Sequence, residues 1–221
     1  MRTNDTAIIL ASQSEGRKRL LKMLKIPFFI IPGDLDEDKI IGKTPLSTLK
    51  LRSRKKAEDT YKKVKNSNRE IQSKLKIKTS RFLIISADSG AILGNKLIGK
   101  PKNYQDAVRI LNSLSGKTHT YVTNIYAILV EQKTSEAFRA VKKWDIKEVT
   151  KVSFKKLSPQ IIKTHLKLSK YTNYAGGYAL FASTQDFIAK TEGSLSNLIG
   201  FPLDKIILIL SEAEIIRLIK S

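Results

Sequence analysis

Two residues in the middle of the chain set up a chemical question. Asp88 ends the apolar run RFLIISA, and Lys100 follows in the sequence Gly99-Lys100-Pro101-Lys102. The carboxyl end of a buried strand is where open α/β sheets place their chemistry. A lone carboxylate buried there is costly, so it calls for a metal, a cation or water. A lysine held in a Gly-Lys-Pro turn is suited to clamp a phosphate. Near the start, Ser12-Gln13-Ser14 precedes Arg17, Lys18 and Arg19, which fall in the opening turn of a predicted helix. Free N–H groups and the positive end of the dipole make such a terminus an anion site. Three cations oppose that dipole, which points to an anionic ligand. Taken alone, these residues are better served by Ser14 as a simple N-cap with solvated cations beside it. The run PGDLDED sets Asp34, Asp36, Glu37 and Asp38 together, either to hold a divalent cation through carboxylate oxygens or as a solvated turn. Lys56 is one lysine among many. His119 and His165 have no spaced partner for zinc, and the Walker, G-x-G-x-x-G and G-x-S-x-G patterns are absent. The residues themselves lead to a site that binds or hydrolyses a phosphorylated anion.

The elements that must position these residues alternate early. TAIILAS reads as a buried strand, EGRKRLLKMLKI as an amphipathic helix, and PFFIIPGD as a short strand closed by a turn. Thr44-Pro45 opens a long lysine-rich helix to Ser67. The stretch 66–80 shows little periodicity and reads as a connection. RFLIISAD and GAILGN read as two strands about a turn, and NYQDAVRILNSLSG as a helix ending at Gly116. Residues 117–132 and 135–154 alternate as a hairpin. SPQIIKTHLKL is helical, YAGGYALFAS a glycine-bearing loop, DFIAKTEGS a strand with a turn, and 202–220 a closing helix. Alternating elements followed by a hairpin predict an α/β or α+β sheet of mixed direction.

Bulk composition narrows the class. At 221 residues, with 41% hydrophobic and 7% aromatic residues, the chain can bury a substantial core. It has no cysteine, which excludes disulfides and thiolate metal sites. The first apolar run is too short for a secretory signal or a membrane span, so a cytoplasmic enzyme or binding protein is expected. The net charge of +21 is concentrated at 50–81, with 13 Lys or Arg against 3 Asp or Glu. Such a field attracts polyanions. Lysine and isoleucine are abundant throughout, however, and aromatics are sparse in the run, which favours a solvated face.

Six stretches in order carry a resemblance. They are LASQSEGRKRLL at 10–21, Asp34-Leu35-Asp36-Glu37, Lys56-Ala57, SADS at 86–89, LIGKPKNYQDAVRILNSLSGKTHTYVTN at 97–124 and EGSLSNLIGFPL at 192–203. Together they resemble the Maf family of nucleoside triphosphate pyrophosphatases, whose fold is similar to that of the inosine triphosphatase group. The resemblance implies a single Maf-like domain over 1–221, an elongated mixed β-sheet flanked by helices, with two lobes around a central cleft. It implies hydrolysis between the α and β phosphates, giving the monophosphate and pyrophosphate, with a divalent metal, Mg2+ or Mn2+. Carried onto matching positions, Ser12 and Arg17 bind phosphate, Lys56 and Lys100 clamp the polyphosphate, Glu37 and Asp88 hold the metal, and Asp88 accepts the proton of the attacking water. A homodimer and a link to inhibition of septum formation are also implied.

The chain departs from its relatives in three places. Gly16 replaces the first arginine of the family's SPRR, Ser89 replaces a threonine, and Phe181 stands where a glutamine would read the base. Losing an amide removes both its donors and its acceptor, so altered or relaxed base preference is expected. The competing expectation is a catalytically weak nucleotide- or nucleic-acid-binding protein, favoured by the lysine-rich segment and by Gly16.

Overall fold

The computed structural model describes residues 6–76, 79–134, 137–180 and 187–217. Seven strands form one mixed sheet. β1 (Thr6–Leu10) pairs parallel with β2 (Phe28–Ile30) on one side and β3 (Arg81–Leu93) on the other. β3 pairs antiparallel with β5 (Thr118–Gln132), β5 with β6 (Phe138–Phe154), and β6 with β7 (Ile188–Glu192). The order is β2-β1-β3-β5-β6-β7, with β4 (Lys96–Ile98) added to the far end of β3. The mixed α/β architecture is therefore the expected one.

The expected turn after Asp88 does not exist. β3 runs unbroken for 13 residues and pairs with β5 from Arg81 opposite Glu131 to Ile92 opposite Thr120. Asp88 lies mid-strand, opposite Asn124. Gly90 is small for a different reason: a Cβ there would collide with Leu97 of β4. What does end near Asp88 is the parallel neighbour. β1 leaves after Leu10 pairs with Ile85, and β4 joins only at Ala91. Between those points one edge of β3 has no strand beside it among the described residues. Successive side chains on a strand face opposite sides, so Asp88 points toward one layer of helices and Ser89 toward the other. The open edge lets both reach one hollow.

The first layer is α2 (Pro45–Asn66). Thr44 caps it through a reciprocal pair with Ser47, and Pro45 occupies its first turn. Leu49, Ser53, Lys56, Ala57, Thr60 and Val64 recur at helical spacing and are buried against the sheet. Ile9, Phe82, Ile84 and Ile128 complete that core. On the opposite face α1 (Glu15–Met23) and α6 (Leu203–Glu212) bury Leu20, Leu21, Ile206, Ile209 and Leu210 over Leu83, Ile85 and Ile125. Met23, the last residue of α1, is 63% exposed. A third apolar cluster joins α4 (Tyr104–Leu114) and α5 (Pro159–Leu168) to Phe154, Tyr178 and Phe187.

Two further expectations are corrected. The connection after α2 contains a helix, α3 (Asn68–Leu75), ended by Lys76 in the left-handed region. The closing helix stops at Glu212 rather than continuing to 220, because Glu214 adopts φ +61 and breaks the helical ladder. No helix among the described residues is long and apolar enough to cross a membrane.

Candidate active site

The open edge of β3 faces a cleft of about 690 Å³ whose walls include Ser12, Arg17, Glu37, Lys56, Asp88, Ser89 and Lys100. Residues separated by almost ninety positions thus share one hollow, and Asp88 and Lys100 both border it. Phe181 lies outside the described residues.

Asp88 and Lys56 form the buried centre. Lys56 Nζ lies 2.6 Å from Asp88 Oδ1 and 2.7 Å from Glu37 Oε2. Its position in the inward stripe of α2 explains its burial, at 7% exposure. Small neighbours along that stripe, Ser53, Ala57 and Thr60, leave room for the ammonium. They are the signal that singles Lys56 out from the other lysines of the run. Asp88 Oδ2 is buried without a hydrogen-bond partner among the described residues. Burial pushes the Asp88 carboxyl above its ordinary value of 3.8, against the opposing pull of Lys56 and Arg17. Burial also works against the charge of Glu37. There Lys56, with Arg17 and Lys100 beyond it, prevails and holds the carboxyl below 4.5. The two acids are thus pushed in opposite directions from their ordinary values, Asp88 up and Glu37 down.

The acidic run divides. Glu37 borders the cleft, whereas Asp34 pairs with Lys63 at 2.7 Å and Asp36 with Lys39 at 3.2 Å on the exposed surface. Asp38 does not border the cleft.

At the α1 terminus, Ser14 caps the helix by accepting from the Arg17 N–H. The expected phosphate ligand Arg17 is heavily engaged. Its guanidinium donates to Gly200 O (3.0 Å), Ser12 Oγ (3.0 Å) and Ser89 Oγ (3.2 Å). Thr123 donates to the same Ser89 hydroxyl at 3.0 Å. Arg17 therefore ties the exit of β1, the middle of β3 and the loop before α6 into one wall, and three of its five donors have partners among the described residues. Gly200, at φ +84, lets its carbonyl approach: a Cβ would sit 2.9 Å from Ser89 Oγ. Asn197, fully buried, fastens the same loop by donating to Tyr121 O and Thr150 Oγ1, each at 3.0 Å. The motif at 192–203 is thus largely a device for presenting Gly200.

Lys100 is exposed on the opposite rim. Its turn is braced by the Gly176 N–H, which donates to Gly99 O at 2.9 Å, and by Gly177, whose α-carbon packs close to Pro101. Both glycines have positive φ, 78° and 74°.

The cleft also has aromatic lining, with Tyr121, Tyr174 and Tyr178 on its walls. Sequence reasoning did not single these out, although the alternation at 117–132 already placed Tyr121 on one face. The Tyr178 hydroxyl is 2.6 Å from His119 Nε2. Burial lowers the His119 pKa to about 4, so the ring is neutral at pH 7. His165 Nε2 donates to Gly177 O at 2.8 Å. Both histidines thus brace the site's frame.

Among the described residues no group of three or more acids or histidines could hold a metal unaided. Two carboxylates, one with an unpartnered buried oxygen, do fit an Mg2+-like ion, which takes one or two protein carboxylates and completes its shell with water and substrate phosphates.

The family model Maf, described as Maf-like protein, matches residues 7–213. The dTTP/UTP pyrophosphatase of Ruminiclostridium cellulolyticum is 32% identical over 200 residues, which is 90% of this chain and 92% of that protein. The dTTP/UTP pyrophosphatase of Thermosipho africanus is 33% identical over 199 residues, 90% of this chain and 89% of that one. Among solved structures, the Staphylococcus aureus Ham1 protein aligns with a TM-score of 0.44 at 12% identity, over 94% of this chain and 99% of that chain. That likeness is too distant to carry an argument.

Proposed function

The chain belongs to the Maf family, and we propose that it hydrolyses nucleoside triphosphates at the α–β anhydride, giving a monophosphate and pyrophosphate. The observation that carries this reading is the cleft that Asp88, with a buried oxygen unpartnered among the described residues, shares with Arg17, Lys56 and Lys100. The relatives' name, dTTP/UTP pyrophosphatase, supports it.

In this reading the triphosphate tail lies between Lys100 on one rim and Ser12, Arg17 and the α1 terminus on the other. Its base extends toward Tyr121, Tyr174 and Tyr178. Asp88 orients a water molecule and takes its proton through Oδ2. The water oxygen bonds to one phosphorus of the α–β anhydride, the bond from that phosphorus to the bridging oxygen breaks, the other phosphate group leaves with that oxygen, and monophosphate and pyrophosphate separate. Burial serves Asp88 here, because a carboxylate whose pKa is raised is a stronger base. Arg17, Lys56 and Lys100 face the charge that builds on phosphate oxygens. Arg17 is preorganised by its three protein partners and need not be ordered during the reaction. Glu37 and Asp88 would hold the divalent ion, Mg2+ or Mn2+, which when bound neutralises phosphate charge and acidifies the attacking water.

Base preference belongs to the same proposal. The relatives act on dTTP and UTP by name, but Phe181 replaces the glutamine of the family pattern, so selection among bases is relaxed or shifted. The resemblance also supports a cytoplasmic homodimer, the dimer being testable by light scattering.

The reading is tested by pyrophosphate release from a panel of triphosphates, comparing the intact protein with Asp88→Asn. A loss of about 100-fold or more is expected. Equal background release from both proteins would remove the enzyme reading and leave a binding protein.

A further inference from the structure

The two acids that would receive a dication are already bridged by one of the chain's own cations. Lys56 Nζ is within 2.7 Å of Glu37 and 2.6 Å of Asp88, and the Ala87 carbonyl, at 3.5 Å, is its only other oxygen partner among the described residues. The ammonium rises from the buried face of a 22-residue helix, and its side chain is only 9% exposed. A divalent ion between the same carboxylates would sit against this ammonium, with the repulsion of like charges at short range. Lys56 would have to withdraw. Pulled from both carboxylates, it would be a buried cation with no anionic partner, which is strongly unfavourable. A phosphate arriving with the metal changes that balance, because it supplies the acceptor that Lys56 loses.

We propose that Lys56 is an internal stand-in for the metal. In the nucleotide-free protein its ammonium neutralises Glu37 and Asp88 and keeps divalent ions out. It yields its place only when a metal enters together with a polyphosphate, onto which it transfers. The metal site is thus completed by substrate, and free metal is a poor ligand. This inference rests on the proposed role of Glu37 and Asp88 as metal ligands.

The experiment measures Mn2+ binding by electron paramagnetic resonance, without turnover. It compares the wild type, Lys56→Met, Asp88→Asn and the double variant, each alone and with an α,β-methylene triphosphate. Lys56→Met should bind Mn2+ alone about tenfold or more tightly than the wild type, since the competing ammonium is gone. Adding Asp88→Asn should abolish that gain. The wild type should acquire its tight site only with the analogue. Lys56→Met binding no more tightly than the wild type, while the wild type with analogue binds Mn2+ through Asp88, would overturn the stand-in and leave the metal ligands standing. If Lys56→Met does not fold, the wild type decides. Nucleotide-free binding as tight as with analogue, and lost in Asp88→Asn, also overturns it. Failure of the analogue to bring any Asp88-dependent Mn2+ would instead overturn the ligand assignment, and the stand-in with it.

Discussion

Replacing Arg17 by lysine keeps the charge and removes the geometry. In the protein the guanidinium spans three acceptors on three separate segments, Gly200 O, Ser12 Oγ and Ser89 Oγ, at 3.0 to 3.2 Å. An ammonium on a flexible four-carbon stem is a point donor without the planar fork and can keep about one of them. Two buried bonds from a charged donor are then lost, at roughly 1.5 kcal/mol each, for a total of about 3 kcal/mol. In a domain of this size, one kcal/mol corresponds to about 2–4 °C, so the melting temperature of Arg17→Lys should fall by about 6–12 °C. Thermal unfolding followed by circular dichroism reads this directly. A pure phosphate ligand would behave differently, since lysine preserves the charge and the folded protein would barely notice the change. A melting temperature within about 2 °C of the wild type would refute the view that Arg17 holds the wall together.

Lys100→Gln should show the opposite profile. With an exposed side chain, it should lose about 100-fold in kcat/KM with no change in melting temperature, and a matching thermal loss would contradict the assignment of Lys100 to the substrate. His119 carries a pH signature. Its folded pKa of about 4 lies below the ordinary histidine value of 6.5. Between those values the unfolded chain binds the proton and the folded one does not, so the contribution is full above 6.5 and drains away as pH falls toward 4. The wild type should therefore lose about 3 kcal/mol more than His119→Gln across that window in urea titrations, and parallel curves would refute it. For catalysis, kcat/KM should decline as pH falls through the raised pKa of Asp88. Phe181→Gln should sharpen pyrimidine selection, and unchanged substrate ratios would count against position 181 reading the base.

Local signals were legible wherever they agreed with the long-range structure. Thr44-Pro45 opens α2, Gly116 closes the turn after α4 with φ +68, and alternation delineates the β5–β6 hairpin. They misled where tertiary pairing outweighed them. Gly90 suggested a turn, yet the continuous ladder with β5 keeps β3 straight through Asp88. The corrected position still preserves the reason for suspecting Asp88, since it lies just past the point where the parallel neighbour departs. What no window of sequence could reveal is contact at a distance. Arg17 meets Gly200 across 183 positions, and Lys56 meets Asp88 across 32. The lysine run also proved partly self-neutralised, with Lys50, Arg54 and Lys63 paired to Asp145, Glu58 and Asp34.

The bracing of Gly99 by Gly176, and of Pro101 by Gly177, joins the tyrosine-lined end of the cleft to the turn that carries Lys100. Whatever sits badly among the tyrosines therefore tugs the ammonium out of alignment a short distance away. An ill-fitting nucleobase would be held and yet handled slowly, so discrimination between substrates would be written in the turnover number more than in the Michaelis constant. Loosening that joint, for instance by lengthening the loop between the two glycines and Pro101's contact, would make the protein a more indiscriminate and less efficient version of itself.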